Sequence, residues 1–83
     1  MHFELTRHAK NALLKRGISM EWLERTLKSP GRTEPDATDP NLEHRVAVIP
    51  EHGDRVLRVI IIPHATPVRV VTLYFDRKMK GRL

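Results

Sequence analysis

The chain contains no cysteine. That removes disulfide cross-links, thiolate nucleophiles and cysteine-based zinc sites together, and makes the reducing cytoplasm the expected compartment. No apolar run approaches the roughly 20 residues a helix needs to cross a bilayer, and the opening residues lack a secretory pattern, so no membrane is expected among the partners. Glycine-rich phosphate loops and a nucleophile elbow are missing too. His44, His52 and His64 are scattered over turns and strand edges without ligand spacing, so neither a metal nor a cofactor is expected. There are no repeats and no low-complexity tracts.

What the chain does have is positive charge and one apolar block. Among 83 residues, 15 Lys and Arg stand against 10 Asp and Glu, a surplus that leans towards polyanionic partners. A chain of this length reads as one domain, 1–83, and buries only about two-thirds of its unfolded surface. A partner or self-association would widen so thin a margin.

The apolar block is residues 55–77, RVLRVIIIPHATPVRVVTLYFDR. Two runs rich in Val and Ile flank His64–Pro67, which predicts an antiparallel hairpin with strands over 55–62 and 68–75. Strand parity sets Leu57, Val59 and Ile61 on one face and Val56, Arg58, Ile60 and Ile62 on the other. Thr72 and Tyr74 have one parity in the second strand, so a matching register puts Arg58, Thr72 and Tyr74 on a common face. That face would also carry Val68 and Val70. Such an apolar surface marks a binding site, to be covered by a partner protein, a second copy or the C-terminal tail folded back.

Ahead of the block, residues 2–5 read as an extended lead-in. Thr6 caps a helix over 7–16 whose apolar stripe is Ala9, Ala12, Leu13 and Leu14. Gly17 ends it, because glycine accepts the left-handed conformation of a C-terminal cap. Ser19 opens a second helix over 20–28, with Glu21 suited to its first turn. Trp22, Leu23 and Leu27 form its buried side, Trp22 being placed between the helices, and Pro30 stops it. Residues 30–41 predict a loop with a short edge strand at 32–34, followed by a strand over 44–49 and a turn at 51–54. Four of the eight residues 76–83 are cationic, a basic tail. The expected fold is α+β: two N-terminal helices packed on one face of a three- to four-stranded antiparallel sheet.

Several segments occur in a recurrent order: Phe3–Ala9 (FELTRHA), Lys15–Ser19 (KRGIS), Pro30, Arg58 and Val70–Tyr74 (VVTLY). Arg7-His8-Ala9 followed by Arg16-Gly17-Ile18 is the most specific part. The pattern resembles a small bacterial family catalogued as domain of unknown function 4258. The layout is also similar to the BrnT toxins and, through them, to RelE-like ribonucleases, with Leu57–Ile62, Val68–Tyr74 and Arg77-Lys78 in the places of the apolar strand, the final strand and the basic end. That resemblance implies RNA, free or on the ribosome, as substrate, and a cognate antitoxin as partner.

RNA cleavage through the 2′-hydroxyl needs a base for that hydroxyl. His8, in the first turn of the first helix, is the candidate, since the positive end of the helix dipole favours a neutral ring. Its other reading is packing on the sheet with a hydrogen bond to a strand carbonyl or Thr72. Arg58 is the candidate for holding the scissile phosphate; alternatively it faces solvent beside Glu43 or Asp76. Tyr74 would stack on or orient a nucleotide, or be half-buried packing. Arg7, Thr72, Arg77, Lys78 and Lys80 complete the expected RNA-binding set. The leading expectation is therefore a toxin-like, metal-independent endoribonuclease. The alternative is a non-catalytic module that binds nucleic acid or protein, including a homodimer through the sheet.

Overall fold

Thr6 decides where the first helix begins. Its hydroxyl accepts from the Ala9 amide at 3.1 Å, which caps α1 (Arg7–Lys15), and donates to the Val71 carbonyl at 3.0 Å. Both bonds are seen in a computed structural model that describes residues 2–83. The Ser19 hydroxyl accepts from the Trp22 amide at 3.1 Å and caps α2 (Met20–Lys28) in the same manner. Between the helices, Gly17 turns the chain at φ 63°.

The strands are β1 (Phe3–Leu5), β2 (Arg32–Pro35), β3 (Glu43–Ile49), β4 (Arg55–Ile62) and β5 (Val68–Phe75). They form one sheet in the order β1-β5-β4-β3-β2. Four strands run antiparallel, but β1 pairs parallel with β5. The sheet therefore has five strands and is mixed, which corrects the expected three- to four-stranded antiparallel layout. The extended lead-in is itself a strand. At three residues it is too short for alternation to announce it, and its long-range partner has no local signature.

Register explains a second correction. Arg58 lies opposite Tyr74 and Ile60 opposite Thr72, but Ile61 lies opposite Val70, so Val71 is an extra residue on β5. Such a bulge reverses the facing of everything before it. Val70 turns into the helix-side core, fully buried, and Val68 packs beside it. Neither belongs to the face that Arg58, Thr72 and Tyr74 share.

The core lies between the helices and the sheet: Ala9, Ala12, Ile18, Leu23 and Leu27 meet Ile49, Leu57, Val59, Ile61, Val70 and Leu73. Arg45, at the same sheet face, donates to the Leu27 carbonyl at 2.9 Å and satisfies an end group of α2. Leu14 does not join the stripe. It is 77 % exposed, because Ala9, Ala12 and Leu13 already take the inward positions and Leu14 lies about 100° further round the helix. Trp22 packs beside this core with its ring against His52 and Phe75, centroids 4.9 and 6.1 Å away.

On the other sheet face the C-terminal segment returns over the start of β4. The Asp76 amide donates to the Val56 carbonyl at 2.8 Å, and a 3₁₀ turn (Arg77–Met79) packs on β4. Leu83 reaches the neighbourhood of Gly31. Val46 and Val56, which point away from the helices, are buried.

Candidate functional site

The face away from the helices is organised by Arg58, the most buried charged side chain among the described residues. Cross-strand pairing puts it beside Val46 on one side and Tyr74 on the other. Its Nε donates to Asp76 at 2.8 Å, and its Nη1 donates to Glu34 at 2.7 Å and to His44 Nδ1 at 2.9 Å. A guanidinium can only donate, so His44 Nδ1 accepts and its Nε2 carries the hydrogen. That Nε2–H donates to Asp36 Oδ1 at 2.6 Å. Asp36 Oδ2 in turn accepts from the Asp39 and Thr38 amides at 3.0 and 3.2 Å.

Each charge here is fixed by its neighbours. The hydrogen bond from Arg58 holds Glu34 below its ordinary value. The Asp39 amide, then the His44 ring and the Thr38 amide, hold Asp36 well below the usual carboxylate range. Burial works against the Arg58 cation, but the bonds to Glu34 and Asp76 outweigh it and its pKa is raised. Two carboxylates on one guanidinium leave no positive surplus for a phosphate. Arg58 is thus the hub of an ionic network rather than an open clamp, and its carboxylate partners are Glu34 and Asp76; Glu43 pairs with Arg45 instead.

His8 is exposed at the start of α1. Its Nε2 lies 3.1 Å from the Thr72 hydroxyl, the bond that its packing alternative expects, on the face that carries Tyr74 and Arg58. β1 pairs only with the first three residues of β5, so α1 begins beside the uncovered part of that edge and the ring reaches Thr72 there. Of the residues singled out from the sequence, His8 therefore meets Thr72, while Tyr74 and Arg58 lie opposite each other further along the same sheet face. Arg7 is exposed next to His8, and Lys78 is exposed on the 3₁₀ turn.

Arg77 and Lys80 gather elsewhere. Together with Arg16 and Arg55 they line a cleft of about 530 Å³ at the end of the sheet, walled by Val56, Phe75 and Asp76. Arg55 also lies over the Phe75 ring, 5.8 Å from its centroid.

Sequence reasoning missed His44, Glu34 and Asp36, and the share of Arg16 and Arg55 in the cleft. The Asp36-Ala37-Thr38-Asp39 run does carry the signature of a side-chain-capped turn. Nothing local announces that β2 and β3 bring Glu34 opposite His44.

Among the described residues no group of His, Asp and Glu is arranged to hold a metal ion, and no helix is long and apolar enough to cross a membrane. What fold and site define is a small α+β domain, two helices on one face of a mixed sheet and an ionic network on the other. It belongs to the family described as Domain of unknown function (DUF4258), which matches residues 5–75. No curated protein and no solved structure matches the chain.

Proposed function

We propose that this domain is a metal-independent endoribonuclease of the toxin type, with His8 as the base. One observation carries it: the His8 ring, exposed and hydrogen-bonded to Thr72 at 3.1 Å, meets the sheet face that holds Tyr74 and Arg58. If Thr72 accepts from Nε2–H, the lone pair stays on Nδ1, open to solvent and free to take the proton of a ribose 2′-hydroxyl. The 2′-oxygen then attacks the adjacent phosphorus, the bond to the 5′-oxygen breaks, and water at this exposed edge protonates the leaving oxygen. Tyr74 orients the nucleotide by stacking. Arg7 is the cation beside the base, while Arg58, held by Glu34 and Asp76, braces the surface under Tyr74.

The likeness of layout to BrnT and RelE-like toxins supports this reading, and with it a cognate antitoxin, cytoplasmic location and RNA that is free or ribosome-bound. The test is incubation of purified protein with RNA, with and without ribosomes, in the presence of a chelator. Cleavage leaving 2′,3′-cyclic phosphate and 5′-hydroxyl ends is expected, and its loss in His8→Ala. Intact RNA in every arm would overturn it.

A second reading is RNA binding without cleavage, favoured by the cationic cleft at the sheet end. Salt-dependent binding with unchanged RNA ends would select it. Association through the half-buried Ile60 and Ile62, as a homodimer, is the remaining proposal, and light scattering at increasing concentration reads it directly.

A further inference from the structure

We infer that the cleft formed by Arg16, Arg55, Arg77 and Lys80 is a phosphate-binding subsite for a single-stranded polynucleotide, separate from the His8 end of the molecule. Its four cations come from three parts of the chain: the C-terminal cap of α1, the first residue of β4 and the segment after β5. None makes a salt bridge to a carboxylate among the described residues, whereas Arg25, Arg45, Arg58 and Arg69 each have at least one. Two sit where a cation is favoured without a counter-ion. Arg16 sits at the carbonyl end of α1, and Arg55 lies over the Phe75 ring.

Asp76 is the one acid in the lining, and it is already engaged by Arg58 and by the Lys78 amide. Concentrating like charges around one hollow opposes folding unless an anion enters. At about 530 Å³ the cleft lies within the range of ligand pockets. Three guanidinium forks suit the paired oxygens of a phosphate. The Phe75 ring and Val56 give the cleft an apolar wall, which suits a base or ribose beside that phosphate better than a run of acidic side chains. Arg16 lies about 12 Å along α1 from His8, a span of two to three nucleotides. A strand seated in the cleft would therefore reach the His8 edge.

This rests on RNA as the ligand but not on cleavage, so the probe is an uncleavable strand. A fluorescein-labelled 2′-O-methyl oligonucleotide of eight residues is titrated into wild type, the pair Arg55→Gln/Arg77→Gln, and a charge-matched control, Lys28→Gln/Arg32→Gln. The cleft pair should lose about tenfold in affinity and about 1.4 from the salt slope, and the control much less. In the folded wild type, inorganic pyrophosphate should compete, and should move the amide NMR signals of Arg16, Arg55 and Phe75. Equal losses in both pairs, competition by polyglutamate but not by pyrophosphate, or NMR shifts elsewhere would each overturn the site. Binding that persists while RNA stays uncut removes the nuclease and leaves the subsite standing; cleavage that survives with the cleft pair binding normally does the reverse.

Discussion

Arg58 donates from Nε to Asp76 at 2.8 Å, and that bond joins the middle of the central strand to the residue where the C-terminal segment departs. Replacing Arg58 with Met would leave Glu34, Asp76 and His44 facing an apolar chain. Removal of one partner from a buried ion pair costs about 3–5 kcal/mol, and the Glu34 side chain, 37 % exposed, keeps enough water to reduce this. A loss of about 2–3 kcal/mol is expected from urea unfolding. Adding Glu34→Gln should recover part of it. Loss of RNA cleavage in Arg58→Met must therefore be read at a temperature where the variant is folded.

His8 should separate chemistry from stability. The ring is exposed, so His8→Ala is expected to change unfolding free energy by no more than about 0.5 kcal/mol. Cleavage should fall by about 10²- to 10⁴-fold if the ring is the base. Thr72→Val, which removes only the group that orients the ring, should lower the rate less and alter the pH–rate profile. Gel assays on end-labelled RNA report both.

Acid should loosen the structure in a definite window. The hydrogen bond from Arg25 brings Glu51 down to about 2 from 4.5, and Arg58 lowers Glu34. Folded values below unfolded ones mean stability that is complete above the unfolded pKa and drains away as pH falls through the folded one. The thermal midpoint should thus respond little to these groups above about pH 5 and drop steadily below about pH 4.5. Glu51→Gln should make that acid limb shallower.

Two glycines predict opposite outcomes. Gly17 sits at φ 63°, where a side chain is strained, so Gly17→Ala should cost about 1 kcal/mol. Gly31 is not left-handed, and a Cβ there would meet the Val46 carbonyl at 3.6 Å and Leu83 at 3.8 Å, ordinary contacts. Gly31→Ala should lie within about 0.5 kcal/mol of wild type. Paired thermal melts decide the contrast.

Local signals in the chain were enough to place the caps. Thr6, Gly17 and Ser19 act through groups within three residues, and their consequences are readable in order. Shared parity of Arg58, Thr72 and Tyr74 was legible because their part of the hairpin keeps a regular register up to Ile60. Val70 was not, because a single inserted residue at Val71 reverses facing without changing composition. Glu34, His44 and Asp36 escaped because pairing between β2 and β3 is a tertiary fact, with the 36–42 loop between them. The cleft escaped for a related reason: Arg16 and Arg55 are unremarkable in sequence, and only the docking of α1 against the end of the sheet sets them beside Arg77 and Lys80.

Pairing of β1 with β5 makes the order of synthesis matter. Glu4 meets Arg69 at 3.1 Å across 65 positions, so a growing chain on the ribosome holds the His8 ring long before it holds Thr72. Until the last strand has been made and has docked, that ring lacks the Thr72 hydroxyl and β1 has no strand to pair with. Any activity that needs the His8–Thr72 pair would thus be withheld from incomplete chains.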